Sequence, residues 1–219
     1  MISIDVADGL VFSEQDRLYT ISFNPGTRIY GERLISVSGS EYREWDPTRS
    51  KLSAYLKNGG RCLPLKRNSN VLYLGASSGT TASHVSDMLT EGKVYCVEFA
   101  PRMFRDLLGT CSQRPNMVPV LGNAMNPTEY QFAIGPIDIV YSDVAQKRQA
   151  DIIADNVDMF GAKYGMVAIK ARSEDVTSNP SDIFRASEKR LEKRGFEIID
   201  SVDLEPYEIS HRMMVFRRL

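Results

Sequence analysis

The sequence is poor in the residues that build metal and disulfide frameworks. Its 219 residues hold three cysteines and two histidines. Cys62, Cys96 and Cys111 are odd in number and far apart, which argues against a paired framework and for a reducing compartment. With no H-x-x-x-H pair and no Cys/His cluster, no metal site is expected. Long apolar runs are missing as well. No stretch approaches the ~20 residues that span a bilayer, and the opening MISIDVADGLVF lacks the basic segment and apolar core of a signal peptide. A soluble cytoplasmic protein without membrane contact is the expectation. Nor is there an excess of positive charge: 27 Lys and Arg stand against 28 Asp and Glu, a formal net charge of −1. Phosphate neutralisation supplies much of the affinity of nucleic-acid proteins. If this chain works on nucleic acid, its cations cluster on one face or a partner provides the grip.

What is present divides into two patterns. Up to about residue 42, short runs (LVFSE, LYTISF, RIYGERLISV) carry β-branched and aromatic residues between turn signals at Asn24-Pro25-Gly26 and Ser38-Gly39-Ser40. They predict a small antiparallel β unit of hairpins. Residues 41–47 read as a polar connection bearing the one tryptophan, Trp45, and a helix is predicted over 50–57. From Asn70 onward strands and helices alternate. VLYLG, KVYCVEF, MVPVLG, IDIVYSDV and MVAIKA read as strands; TASHVSDML, PRMFRDLLGTC, ADIIADNVDMF and SDIFRASEKRLEKRG read as helices, the last stopped at Gly195. Such alternation implies an open, mostly parallel sheet covered on both faces. FEIIDSVDL and RMMVFRRL follow with a turn near Pro206 and no helix between them, so they are expected to pair antiparallel. The fold class is α/β: a Rossmann-like, mostly parallel sheet with an antiparallel C-terminal strand over 50–219, preceded by a small antiparallel β domain over 1–49. That ending separates methyltransferases from ordinary nucleotide-binding Rossmann proteins.

The first candidate site follows the first of the alternating strands. Gly75-Ala76-Ser77-Ser78-Gly79-Thr80-Thr81 links that strand to a helix, and small residues there let the backbone turn tightly and approach a ligand. It is neither G-x-G-x-x-G nor a phosphate-binding P-loop, because Ser77 takes the middle position and no Lys-Ser/Thr pair follows Gly79. Taken alone, the loop is equally consistent with tight packing. Glu98 ends the next strand about twenty residues on, where an acidic side chain commonly holds a ribose diol; the plainer alternative is a solvent-facing carboxylate. Asn123-Ala124 follow the third strand and Asp143 the fourth. Four successive strands thus deliver small, acidic or amide groups at their carboxyl ends, where open α/β sheets bind ligands. A nucleoside-containing cofactor fits this convergence.

Lys170 follows an apolar strand, where partial desolvation lowers a lysine pKa and makes the amine usable as a base. A neighbouring carboxylate opposes that shift. A snorkelling surface lysine is the alternative, and Asp143 at the end of the preceding parallel strand favours the functional reading. His211 sits just before the final strand, near Glu205, Pro206 and Tyr207. His84 lies inside the first helix of the nucleotide-binding half and reads as structural or surface. These pieces suit methyl transfer to a ribose hydroxyl: a sulfonium donor leaves as a neutral group, so the enzyme must supply alignment and a base.

YLGASSGTT, VYCVEF, PRMFRDLL, SDVAQ, NVDMF and IKARS, with NPGTRIYGERL and EYREWDPTRSKLSAYL before them, resemble the fibrillarin family in order and spacing, over nearly the whole chain. The lack of a glycine–arginine-rich tail makes the resemblance one to the archaeal form. The resemblance implies an S-adenosylmethionine-dependent methyltransferase acting on ribose 2′-oxygens of rRNA and tRNA. It also implies a box C/D guide RNA that pairs with the target, a coiled-coil scaffold protein and a kink-turn-binding protein. By the same resemblance the cofactor residues fall on Thr80, Thr81, Glu98, Phe99, Asn123, Ala124 and the run Asp143, Val144, Ala145 and Gln146, beside Gly75 and Ala76 of the loop. A catalytic tetrad falls on Lys51, Asp143, Lys170 and His211, with Lys170 as base and Lys51 and Asp143 positioning the ribose. Two positions depart from the family pattern: Asn123 stands where aspartate is usual, and Ser77 where alanine is common. An amide oxygen can still accept from an adenine amino group.

Three other readings remain open at this stage. A nucleotide-dependent oxidoreductase is disfavoured by the missing third glycine and the helix-less final strand pair. A non-catalytic ribonucleoprotein scaffold is disfavoured by the intact Lys51, Asp143, Lys170 and His211 set. A methyltransferase with a protein acceptor would use the same cofactor site.

Overall fold

Tight turns with left-handed residues fold the N-terminal segment back on itself. The computed structural model describes residues 4–219, so the first three residues of the expected N-terminal unit lie outside the described residues. Strands β1 (Ile4–Ala7), β2 (Val11–Glu14), β3 (Arg17–Ile21), β4 (Leu34–Val37) and β5 (Ser40–Glu44) form an antiparallel sheet in the order β1-β2-β3-β5-β4. Positive φ at Gln15 and Asp16, and again at Ser38 and Gly39, gives the two-residue connections whose twist suits adjacent antiparallel strands. Two expectations are corrected here. The run RIYGERLISV is strand only from Leu34, because the Glu32 carboxylate turns back to accept from the Ile29 and Tyr30 N–H groups at 2.9–3.0 Å. Residues 41–47 are not a simple connection, since β5 runs through 40–44 and pairs with β3 and β4.

A helix α1 (Lys51–Lys57) follows, its first turn capped by Ser50, whose Oγ accepts from the Ser53 N–H. Then come β6 (Asn70–Leu74), α2 (Thr80–Met88), β7 (Lys93–Glu98), α3 (Pro101–Cys111) and β8 (Met117–Leu121). After two single 3-10 turns at 127–129 and 131–133 the chain continues through β9 (Ile139–Ser142), α4 (Gln149–Phe160) and β10 (Tyr164–Lys170). It ends with α5 (Ala171–Glu174), α6 (Pro180–Lys193), β11 (Phe196–Asp203) and β12 (His211–Arg218). The large sheet has the order β11-β12-β10-β9-β6-β7-β8, parallel throughout except for β12, which inserts antiparallel between β10 and β11.

Strand periodicity sorts the side chains into two cores. Val71 and Tyr73 face one side with Val94, Cys96, Ile139 and Tyr141, packed by α1, α2 and the N-terminal sheet through Leu18 and Trp45. Leu72 and Leu74 face the other with Val97, Val140 and Val167, covered by α4 and α6. Both faces are dry, which is why these strands read as continuous apolar runs. Among the described residues no helix is long and apolar enough to cross a membrane.

The N-terminal sheet is joined to α2 by buried charge as well as by apolar contact. Arg43 donates to Glu32 (2.6 and 2.8 Å), to Asp87 (2.7 Å) and to Ser83, while Arg114 donates to the other oxygen of Asp87 (2.7 Å). His84 stacks on Trp45 with ring centroids 5.1 Å apart. Its Nδ1 meets the Thr20 hydroxyl and its Nε2 the Tyr30 hydroxyl, both at 2.8 Å. Thr20 spends its proton on Asp87, so Nδ1 carries the ring proton. Of the two places open to His84 in the sequence, the structural one is observed: the ring is fully buried.

Candidate active site

The parallel strands end together, and the residues just past their carboxyl ends share one rim. Gly75, Ser77, Val97, Glu98, Phe99, Gly122, Asn123, Ala124, Asp143, Val144, Ala145 and Gln146 line a cavity of about 250 Å³. Nine of the twelve expected cofactor residues are among them. Gly75 has φ +77°, and a Cβ there would lie 3.0 Å from the Asp143 carbonyl oxygen, so only glycine lets the loop approach the end of β9 this closely. Ala76 is buried under the loop. Thr80 and Thr81 open α2 outside the cavity lining, and Thr81 donates its hydroxyl to Ser50 Oγ at 3.0 Å, bracing the cap of α1. Ser77 lines the cavity as part of the small-residue loop, and Val97 and Gly122 line it although the sequence did not single them out. The signal for Gly122 was available, since a glycine closes the strand immediately before Asn123.

The carboxylate of Glu98 is held by two backbone N–H groups, Ser77 to Oε2 and Ala100 to Oε1, both at 2.8 Å. A carboxylate offers about four acceptor positions, so half its capacity remains for hydroxyls in the cavity. It is not the solvent-facing group that the plainer alternative required, being 6% exposed. Asn123 Oδ1 accepts from the Met125 N–H at 3.0 Å, which leaves the amide NH₂ and one lone pair for a ligand edge. Gln146 Oε1 is buried in the cavity wall without a hydrogen-bond partner, a costly state that a bound donor would relieve.

Beside the cavity the four expected catalytic residues meet. Asp143 is the first residue beyond β9, Lys170 ends β10, His211 begins β12 and lies directly across from Lys170, and Lys51 starts α1. Lys170 Nζ lies 2.8 Å from both the Asp143 carbonyl and its Oδ1, with only the carbonyl aligned for a hydrogen bond. Lys51 Nζ stands 3.3 Å from Asp143 Oδ2. A fifth residue, Glu208, comes within 3.4 Å of Lys51 and 3.9 Å of His211 Nδ1. Burial works against the charge on Lys51, yet Asp143 and Glu208 outweigh it and hold its pKa above the usual lysine value. His211 moves the other way: burial lowers its pKa, the Ile209 carbonyl and Glu208 oppose, and the two lysines reinforce the fall. Its Nδ1 lies 2.7 Å from the Ile209 carbonyl, which makes Nδ1 the donor and leaves Nε2 available. Gln149, at the start of α4, brackets the Lys170 backbone by accepting from its N–H (2.9 Å) and donating to its carbonyl (3.1 Å).

A fibrillarin family profile matches residues 8–218. The fibrillarin-like rRNA/tRNA 2′-O-methyltransferase of Methanothermobacter thermautotrophicus is 51% identical over 210 residues, 95% of this chain and 94% of the relative. The crystal structure of Aeropyrum pernix fibrillarin with natively bound S-adenosyl-L-methionine superposes with a TM-score of 0.87 at 43% identity, covering 98% of both chains. A fibrillarin in complex with Nop5p superposes at 0.88 with 36% identity, over 96% of this chain and 98% of that one.

Proposed function

The chain belongs to the fibrillarin family, and on that premise we propose that Lys170 is the base of a guide-directed methyl transfer to ribose. The protein is an S-adenosylmethionine-dependent rRNA/tRNA 2′-O-methyltransferase, of EC class 2.1.1. The residues present suit that cofactor: Glu98 keeps acceptor capacity for a ribose diol, Asn123 and Ala124 line the same cavity, and Gln146 in its wall has a buried oxygen without a partner. When bound, the cofactor supplies a methyl group on a sulfonium centre that departs as a neutral thioether.

The observation that carries the reading is the ion chain Lys51–Asp143–Lys170 at the rim of that cavity, with Asp143 common to both. In its amine form Lys170 Nζ takes the proton of the ribose 2′-hydroxyl as the oxygen attacks the methyl carbon. Asp143 steadies the ammonium that results, at a distance it already holds. Lys51 stays charged between two carboxylates and orients the acceptor oxygen. His211, neutral and with Nε2 available, lines the substrate side.

Target choice belongs to a box C/D guide RNA, which pairs with rRNA or tRNA in a particle completed by a coiled-coil scaffold of the Nop5 kind and a kink-turn-binding protein. The particle acts in the cytoplasm. The net charge of −1 supports this division of labour, since RNA grip from partners removes the need for a basic chain. Residues 50–219 carry the chemistry, and residues 1–49 form the accessory β unit. The test is transfer from labelled S-adenosylmethionine to a target RNA, with the protein alone and with guide RNA and both partner proteins. Label on one guide-specified ribose in the complete mixture is expected. Label on a protein component, or none in a mixture proven to assemble and bind cofactor, would overturn the acceptor or the catalytic role.

A further inference from the structure

The two lysines of the site differ in how many carboxylates they face. Among the described residues Lys170 has Asp143 alone, whereas Lys51 lies between Asp143 Oδ2 at 3.3 Å and Glu208 Oε1 at 3.4 Å. We infer that Glu208 is a positioning residue for the methyl transfer: it shares Lys51 with Asp143 and so leaves the role of base to Lys170. The inference rests on the reading of Lys170 given above. Glu208 is well placed to act in this way. It sits in the connection between β11 and β12, where its N–H donates to the Leu204 carbonyl at 3.0 Å and Ser210 N–H donates to Glu205 at 3.1 Å. That fixes the backbone on both sides of it. Its other oxygen approaches His211 Nδ1 at 3.9 Å, so one carboxylate touches Lys51 from α1 and His211 from β12.

Among the described residues the charges that act on Lys51 come from a few elements. Asp143 comes from the end of β9, Lys170 from the end of β10, and Glu208 and His211 from the β11–β12 connection and the start of β12. The buried tyrosines Tyr73 and Tyr141 complete the floor, with ring centroids 4.5 Å apart. Two lysines and two carboxylates balance. When one lysine gives up its proton the cluster becomes net negative, and the proton arriving from the ribose restores the balance. Opposite charges within ~4–6 Å favour the ionised form. The lysine between two carboxylates, Lys51, is therefore held in its charged form. Without Glu208 that asymmetry is lost.

The test is the pH dependence of the methyl-transfer rate, at saturating cofactor in the complete guide-RNA mixture, for wild type, Glu208→Gln, Glu208→Asp and Lys170→Ala. Removing the Glu208 charge makes Lys51 lose its proton at lower pH. Glu208→Gln is therefore expected to move the alkaline limb of the profile down by about one unit. Glu208→Asp keeps the charge and is expected to restore the limb. An unshifted profile in Glu208→Gln, or a uniform loss of rate with both limbs in place, overturns the inference while leaving Lys170 as base if Lys170→Ala is inactive. Retained turnover in Lys170→Ala removes the reading on which the inference stands, and the inference with it.

Discussion

Arg43, Arg114, Glu32, Asp87 and His84 between the N-terminal sheet and α2, and Lys51, Lys170, Asp143, Glu208 and His211 at the rim of the large sheet, have the same makeup. Each is two cations, two carboxylates and a histidine. In the first, the ion-pairing side chains are at most 1% exposed and the contacts are 2.6–2.7 Å. In the second they are 15–25% exposed, and the contacts run from 2.8 to 3.4 Å. The cations differ in kind too. Arginine does not give up its proton, and its fork matches carboxylates; lysine is a point charge that can become a neutral amine. Sealed and built of arginine, the first cluster registers one sheet against the other. Half-open and built of lysine, the second is the cluster to which we assign the proton transfer. Composition alone does not distinguish structure from chemistry; cation type and access to solvent do.

Removing one member of the sealed cluster is expected to have the largest effect on folding. Asp87→Ala strands Arg43 and Arg114 without their shared carboxylate and is expected to cost about 3–5 kcal/mol, read by chemical denaturation. Full stability in that variant would erase the contrast. In the open cluster Lys170→Ala is expected to lower the transfer rate by about 10²–10⁴-fold with cofactor affinity and melting temperature nearly unchanged.

The histidines sharpen the comparison by pH. Burial, then Arg43 and Arg114, depress the His84 pKa well below its usual 6.5. The unfolded chain therefore takes up a proton that the folded one refuses, so stability is complete above about pH 6.5 and declines as the pH falls below it. His211 adds a contribution of the same sign from its own lowered pKa. Denaturation midpoints followed downward from pH 7 are expected to fall more steeply for wild type than for His84→Gln; equal slopes would mean His84 is not held neutral. The smallest effect belongs to Asn123→Asp, which restores the acid usual in the family. It is expected to change S-adenosylmethionine affinity by less than about tenfold, the worth of one hydrogen bond, as measured by calorimetry.

Much of this was legible because the large sheet is dry on both faces. Buried parallel strands read as apolar runs, and their carboxyl ends point to Glu98, Asn123, Asp143 and Lys170 without further information. What was hidden depends on distant pairing. β5 carries Glu41, Arg43 and Glu44 and reads as polar, and only a buried partner such as Asp87, 44 residues on, makes Arg43 an interior residue. Glu208 was not singled out in the sequence, because nothing local reveals that β12 inserts beside β10 and sets His211 across from Lys170. Thr81, which the resemblance carried to the cofactor, also donates its hydroxyl to the cap of the helix that presents Lys51, a contact the sequence did not reveal.

The contrast between the clusters reduces to whether a cation must lose its proton, and Lys170→Arg tests that most directly. Methyl transfer to the guide-specified ribose would be timed for wild type and variant in the complete mixture. A guanidinium keeps the charge beside Asp143 but cannot serve as a base near neutral pH. The account predicts a loss of about 10²-fold or more with cofactor binding and melting temperature retained. A rate near wild type would contradict it, because the proton would then be leaving by another route.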